Sequence, residues 1–261
     1  MSYLLANKNF HNRDSCISFK EEGHEYTVKW EGNLDGDKKF TSCTTLVHSL
    51  CNIFDNDKVI NQIMNSKNWN ENNIYWGMDK NQIKNLWKNN GKASSEAGTK
   101  LHFDIECFYN ELIVENNSKE WLLFLQFNKD HLHLEAFRTE WLIWDEEFKI
   151  TGSIDMVFKD GEFFDIYDWK RSKSIDKIPY GNKYLNNKIV EHLPDSNFWH
   201  YSLQLNIYRC ILERKYDIKI RNLFLIQLHP NFDFYKKIKC ADLSKEVNML
   251  LNEKKLKPYS I

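Results

Sequence analysis

The chain has 261 residues, of which 42% are hydrophobic and 15% aromatic, so it can bury one large core or one domain with a helical elaboration. The formal net charge is −1, which excludes a surface that is basic overall; binding of a polyanion would need a local cleft of Lys and Arg. Six cysteines are scattered without C-x-x-C spacing, which excludes a compact disulfide scaffold and indicates reduced, mostly buried thiols.

The first residues, MSYLLANKNFHNRDS, have no apolar segment of the signal-peptide kind. No stretch approaches the roughly 18 consecutive apolar residues of a membrane span. We therefore expect a soluble, intracellular protein that does not associate with a membrane.

Strand-like patterns dominate the first 50 residues. Residues 17–30 alternate like a strand, residues 32–37 carry turn residues, and the strand-like pattern resumes in KKFTSCTTLV. This order predicts a β-hairpin that leads into a helix near residues 44–53. The following Asn- and Lys-rich stretch, residues 57–90, has irregularly spaced apolar residues and predicts short helices with loops between them.

Two helices are predicted next, over residues 94–112 and 119–131. The first has an apolar stripe at helical spacing, formed by Leu101, Ile105, Phe108 and Leu112. Ser94 or Ser95 is its predicted N-cap, with Glu96 in the first turn.

The second half of the chain changes period. Three segments rich in β-branched and aromatic residues, separated by short turns, predict an antiparallel meander at 136–144, 149–158 and 163–169. A helix, a strand and a final helix are predicted at 198–215, 222–228 and 241–251. The sequence therefore predicts a mixed α/β core with an N-terminal extension, in one domain with an elaboration.

Three residues at neighbouring strand ends suggest chemistry. Asp155 lies near the end of one predicted strand, and Asp168 and Lys170 end the next. A hairpin brings these ends together, and alternation puts residues 168 and 170 on one face. Paired carboxylates bind Mg²⁺ or Mn²⁺, and a lysine can hold a phosphate or position a nucleophile. Read alone, however, D-x-K is also compatible with a solvated salt bridge at a strand end.

Four short sequence motifs occur in one order along the chain. They are G-T-K-L-H at residues 98–102 with Glu106, G-S-I-D at 152–155, D-W-K at 168–170 and Q-L-N-I-Y at 204–208. The set resembles the PD-(D/E)XK nuclease superfamily, in particular its RecB-like exonuclease branch, which includes the mitochondrial genome maintenance exonuclease. The resemblance covers roughly residues 93–228, and the first 90 residues also resemble uncharacterised nucleases of large DNA viruses.

The resemblance implies a restriction-endonuclease-like core, a central mixed sheet flanked by helices, at residues 93–261. Residues 1–92 would be a hairpin and a mainly helical elaboration of the same compact unit. It also implies a Mg²⁺-dependent deoxyribonuclease, with Mn²⁺ able to substitute. Asp155, Asp168 and Lys170 would be catalytic, and the metal ligands would be His102, both aspartates and the carbonyl of Trp169.

Several further residues have two readings each. Glu106, one turn after the site histidine, is an accessory site residue by resemblance and a helix-surface group otherwise. Gln204 and Tyr208 would contact the nucleic-acid backbone, or form a half-buried helix face. Glu140 is either an accessory site residue or an exposed strand position. Lys173 lies past the strand end and would contact a phosphate of the nucleic acid.

The implied activity is hydrolysis of DNA, with single strands or free ends as substrate, in replication, repair or recombination; protein partners stay undefined. If the chain is viral, it would act in the cytoplasm or nucleus of a host cell. Some RecB-like nucleases carry a four-cysteine iron–sulfur cluster, but only Cys210 and Cys240 lie near this C-terminus, so we expect none. The alternatives are a catalytically silent nucleic-acid-binding module on this fold and an RNA-directed endonuclease.

Overall fold

A computed structural model describes residues 4–20, 22–23, 25–37, 39–179 and 181–256. A short helix, a 3₁₀ helix and a three-stranded antiparallel sheet come first: α1 Leu4–Lys8, the 3₁₀ helix Asn12–Cys16, β1 Ile17–Lys20, β2 Glu25–Trp30 and β3 Asn33–Asp37.

The predicted turn at residues 32–37 is wrong, because residues 33–37 form strand β3. The chain reverses one step earlier, since Trp30 pairs with Asn33 across a two-residue loop. Asn, Asp and Gly in a short strand produced the turn signal. Within the predicted strand at 17–30, Glu21 and His24 lie outside the described residues.

The helices and strands of the main body follow. They are β4 Thr41–Ser42, α2 Cys43–Ser49, α3 Asn56–Met64, α4 Lys80–Tyr109, α5 Lys119–Asp130, β5 Glu135–Asp145, β6 Ile150–Asp160, β7 Phe163–Lys170, α6 Asn197–Lys215, β8 Ile220–Gln227, β9 Lys236–Lys239 and α7 Ser244–Leu256. The predicted meander is confirmed as β5, β6 and β7, and the order of helix, strand and helix after it is confirmed as α6, β8 and α7. Strand β9 was not predicted.

Helix α4 begins 14 residues before its predicted start at residue 94. Its N-cap is Asp79, which forms a capping box with Gln82, so the predicted caps Ser94 and Ser95 are wrong. The first half of this helix is mostly exposed, so it lacks the apolar stripe that marked the second half. The helix runs without interruption across residues 92–93, where the sequence suggested an internal boundary.

The central sheet is mixed, with parallel pairs β4–β6 and β7–β8 and antiparallel pairs β5–β6, β6–β7 and β8–β9. Ile166 and Tyr167 are neighbours on β7 and belong to two different buried clusters, so the clusters lie on opposite faces. One cluster includes residues of α2, α6 and α7, and the other includes residues of α4 and α5. The chain is thus an α/β fold with a mixed sheet between two helical layers.

Strand β6 has a gap along one edge. Its whole length pairs with β5, while the opposite edge pairs with β4 at residues 150–151 and with β7 from residue 156 onward. Among the described pairings, residues 152–155 therefore have a strand partner on one side only. Within the described ranges, no helix combines the length and apolar character needed to cross a bilayer.

Candidate active site

The gap in β6 is where the predicted aspartates meet. The β6–β7 ladder ends at the pair Met156–Tyr167, and the next backbone N–H of β7 that faces the gap belongs to Trp169. Oδ2 of Asp155 accepts a hydrogen bond from this N–H at 2.9 Å. A carboxylate thus takes the place of a backbone carbonyl, which fixes its position relative to both strands.

His102 and Glu140 complete this group from two other elements. Nδ1 of His102, on α4, lies 3.4 Å from Oδ2 of Asp155 and 3.7 Å from Oε1 of Glu140, on β5. Nε2 of the same ring is 2.8 Å from the carbonyl oxygen of Trp169, to which it donates when protonated. Ligand atoms of His102, Glu140 and Asp155 lie within 4.8 Å of one another, close enough to share one cation.

Glu140 has an unusual backbone for a residue inside a strand. Its φ is +41°, in the left-handed region, which costs about 1–3 kcal/mol in a residue other than glycine. Its carboxylate accepts a hydrogen bond from Ser153 Oγ at 3.0 Å and faces His102. The structure therefore places Glu140 inside the site, and the reading as an exposed strand position is wrong.

Asp168 and Lys170 form the other half of the site. As alternation predicted, the two side chains share a face, with Nζ of Lys170 2.5 Å from Oδ2 of Asp168. The pair lies in an orientation that leaves this buried Oδ2 without a hydrogen-bond partner. Nζ also lies 4.5 Å from the ring centroid of Tyr201 on α6, an additional contact that favours a cation.

Burial and crowding of like charges shift the titration of the acidic groups. Burial, with the nearby Asp155 carboxylate, raises the pKa of Asp168 to about 6. Burial also raises the pKa of Asp155, against the opposing effect of His102. Burial and Glu140 raise the pKa of Glu106, one turn further along α4, to about 7. The site thus gathers carboxylates that resist carrying all their charges at once.

The two basic groups respond in the opposite sense. Burial lowers the pKa of His102, but Asp155 and Glu140 outweigh it and raise the value to about 9. Burial likewise opposes the charge on Lys170, yet Asp168 and Asp155 hold the pKa of this amine above its ordinary range. Both groups are therefore cationic near neutral pH in the protein without a bound cation.

Helix α6 closes one side of the site through Tyr208. Its ring packs against Gly152, where a Cβ atom would lie 2.4 Å from Cε1 of the tyrosine. Nε2 of Gln204 donates a hydrogen bond of 2.6 Å to the Tyr208 hydroxyl. The glycine of the G-S-I-D segment and the tyrosine of the Q-L-N-I-Y segment are thus in direct contact, and the close approach requires a residue without a side chain.

The remaining predicted residues lie at the margin. Lys173 is exposed in the loop after β7. Arg171 follows Lys170, and its Nε donates to Glu120 Oε1 of α5 at 2.6 Å. The sequence analysis did not single out Ser153, although it lies within G-S-I-D.

Neither a protein-family model nor a curated protein matches this chain. A solved structure titled "Crystal structure of SSO0001" aligns with 86% of this chain and 78% of its own, at 16% sequence identity and a TM-score of 0.36. A likeness this low carries no argument about fold or activity.

Proposed function

We propose that this chain is a metal-dependent nuclease that hydrolyses DNA phosphodiester bonds, on a core of the restriction-endonuclease type. One observation carries the proposal: Asp155 and Asp168, two carboxylates whose pKa values are raised, converge with Lys170 where the β6–β7 ladder ends. Two such carboxylates cost several kcal/mol to keep ionised unless cations compensate them. The likeness of residues 98–106, 152–155, 168–170 and 204–208 to RecB-like exonucleases supports the same assignment.

The donor set fits a hard divalent cation. Asp155 and Glu140 offer carboxylate oxygens and His102 offers an imidazole nitrogen, all within 4.8 Å of one another and with no sulfur among them. The Asp168 carboxylate, which is paired with Lys170, lies outside this group. Oδ2 of Asp168, which lies 2.5 Å from Nζ of Lys170, would become a further donor once the cation takes the place of that contact. Asp155 and Asp168 would hold Mg²⁺ or Mn²⁺, with Glu140 and His102 at the same centre, and the Trp169 carbonyl stays a predicted ligand.

A bound cation of this class supplies Lewis acidity at a phosphoryl oxygen and lowers the pKa of a coordinated water. The chain supplies the rest. Asp168 and Asp155 raise the pKa of Lys170, so this amine would act as a positive hydrogen-bond donor to a phosphoryl oxygen or to the attacking water. Trp169 N–H holds Asp155 in a single orientation before substrate arrives. His102 must lose its Nδ1 proton to become a ligand, so cation affinity falls at low pH.

A product ladder from DNA tests the proposal. Single- and double-stranded DNA labelled at the 5′ or 3′ end is incubated with the full chain and Mg²⁺, Mn²⁺ or EDTA, with unlabelled RNA as competitor. We expect metal-dependent shortening from an end, preferentially on single strands. Asp168→Asn and Lys170→Ala are each expected to lower the rate at least about 100-fold. Asp165→Asn is the matched control, because Asp165 is equally buried on β7 but pairs with Arg221.

Three outcomes oppose the proposal. Cleavage that persists in EDTA, or that survives both Asp168→Asn and Lys170→Ala, would show that another group or a contaminant hydrolyses the DNA. DNA binding without cleavage on any substrate would identify a silent binding module. Preferential cleavage of RNA would identify an RNA-directed endonuclease.

A further inference from the structure

A second group of metal-ligating side chains lies outside the site described above. Cys51 follows helix α2, Asp195 immediately precedes the N-cap of α6, and His200 lies in the first turn of α6. Nε2 of His200 is 3.4 Å from Sγ of Cys51 and 2.7 Å from Oδ1 of Asp195. Ligand atoms of all three residues lie within 4.8 Å of one another.

The direction of these contacts separates two chemistries. In a Cys–His–Asp catalytic triad, one ring nitrogen faces the thiol and the other ring nitrogen faces the carboxylate. In this cluster the same nitrogen, Nε2 of His200, faces both Cys51 and Asp195. Sulfur, nitrogen and oxygen thus lie within 4.8 Å of one another with Nε2 in contact with both partners, as ligands of one ion would.

The distances suit a small tetrahedral ion. Bond lengths of about 2.0 Å to nitrogen and 2.3 Å to sulfur give a tetrahedral N–S edge of about 3.5 Å, close to the distance between His200 and Cys51. The corresponding N–O edge is about 3.3 Å, so Asp195 and His200 would move apart by roughly 0.6 Å.

Asp195 is already oriented for this role by its neighbour. Its Oδ2 accepts hydrogen bonds from the backbone N–H of Asn52 at 2.8 Å and from Nδ2 of Asn52 at 2.7 Å. The other oxygen, Oδ1, is left facing His200. Such outer contacts that hold a ligating carboxylate are typical of metal sites.

We propose that Cys51, Asp195 and His200 form a binding site for Zn²⁺ or a similar borderline cation, with a water in the fourth position. A thiolate with an imidazole and a carboxylate selects this class over Mg²⁺, which takes oxygen ligands. Binding displaces the thiol proton of Cys51 into solvent, and neutral His200 ligates through Nε2. The ion would join the end of α2 to the start of α6, the helix that carries Tyr201, Gln204 and Tyr208.

Cobalt(II) is the probe for this site. The metal-free full chain is titrated with Co²⁺ and followed by absorption spectroscopy. We expect one equivalent to produce tetrahedral d–d bands and a near-ultraviolet thiolate-to-cobalt charge-transfer band, and added Zn²⁺ to abolish both. Zn²⁺ is also expected to raise the melting temperature of the wild-type chain.

Matched variants locate the site. Cys51→Ser is expected to lose the charge-transfer band, whereas Cys16→Ser, which removes another partly exposed thiol, keeps it. Asn52→Ala is expected to weaken Co²⁺ binding about 10–100-fold, and His200→Gln at least as much. His102→Gln leaves the band unchanged, because the His102 group has no sulfur ligand, so the result does not depend on the proposed nuclease activity.

Two results overturn the proposal. One is the absence of a charge-transfer band at saturating Co²⁺ in the wild-type chain. The other is a band that survives Cys51→Ser or, if that variant does not fold, survives His200→Gln and Asp195→Asn.

Discussion

The contact between Gly152 and Tyr208 makes a quantitative prediction. In Gly152→Ala, the new Cβ would lie 2.4 Å from Cε1 of Tyr208 and 3.2 Å from Sγ of Cys43. Tyr208 is only 3% exposed, so its ring has little room to move away. Overpacking of a dense core costs about 1–3 kcal/mol. For a chain of this length, a loss of stability of this size lowers the melting temperature by roughly 2–12 °C.

The assay is thermal and urea unfolding of Gly152→Ala beside a matched control, Gly98→Ala. A Cβ at Gly98, within helix α4, meets nothing within 4 Å, so this change is expected to stabilise the chain by up to about 1 kcal/mol. In a Tyr208→Leu background, the cost of Gly152→Ala should shrink, because the ring that clashes is gone. Equal melting temperatures for Gly152→Ala and the wild type would refute the packing argument, and so would an unchanged cost in the double variant.

Three further predictions concern single side chains. Ser153→Ala removes the hydroxyl that bonds Glu140 and is expected to weaken Mn²⁺ binding about 10–100-fold by calorimetry. Glu106→Gln is expected to raise the free energy of unfolding by about 1–2 kcal/mol at pH 8 in chelator, less than the full pKa shift implies because the side chain is partly exposed to solvent. The change should have little effect at pH 5, as measured by urea denaturation. In the folded chain the pKa of Glu106 is about 7, above its ordinary value. The stability that its protonated carboxyl contributes is therefore fully present below pH 4.5 and is lost as the pH rises through 7. Asp14→Ala is expected to cost about 3 kcal/mol in the same assay, because it leaves Arg138 buried without its ion pair.

Each of these has an opposing result. Unchanged Mn²⁺ affinity in Ser153→Ala would mean that Glu140 is not a ligand. If Glu106→Gln stabilises the chain equally at both pH values, ionisation of Glu106 is not the cause of the stabilisation. For Asp14→Ala the control is Asp160→Ala, whose carboxylate is half-exposed and whose loss should cost less than about 1 kcal/mol; equal costs would contradict the burial argument.

The β5–β6–β7 meander and the meeting of Asp155, Asp168 and Lys170 were predictable from the sequence. Period-two alternation fixes which residues share a face, and short turns force neighbouring strands to pair. The placement of Glu140 was not predictable, because its positive φ occurs at a residue type that carries no signal for that conformation.

Two other features could not be predicted from the sequence, each for a different physical reason. The first half of α4 is largely exposed to solvent, so it has no apolar residues at helical spacing that would predict it. Its capping box, Asp79 with Gln82, was present in the sequence. The cluster of Cys51 and His200 joins residues 149 positions apart, and no local spacing encodes such a pair. Only the tertiary fold brings those ligands together.

The bond between the Asp155 carboxylate and the Trp169 N–H has an evolutionary consequence. Asp155 serves the architecture of the sheet as well as the proposed chemistry, since its loss would leave a backbone donor of β7 without its acceptor. Asp168 and Lys170 make no comparable bond to the ladder through their side chains. In a lineage without the proposed activity, selection for folding alone would retain the first aspartate, and it would release Asp168 and Lys170 only together, because the loss of one partner leaves the other charge buried and unpaired. Retention of Asp155 in a descendant is therefore weak evidence of activity, whereas retention of the Asp168–Lys170 pair is stronger evidence.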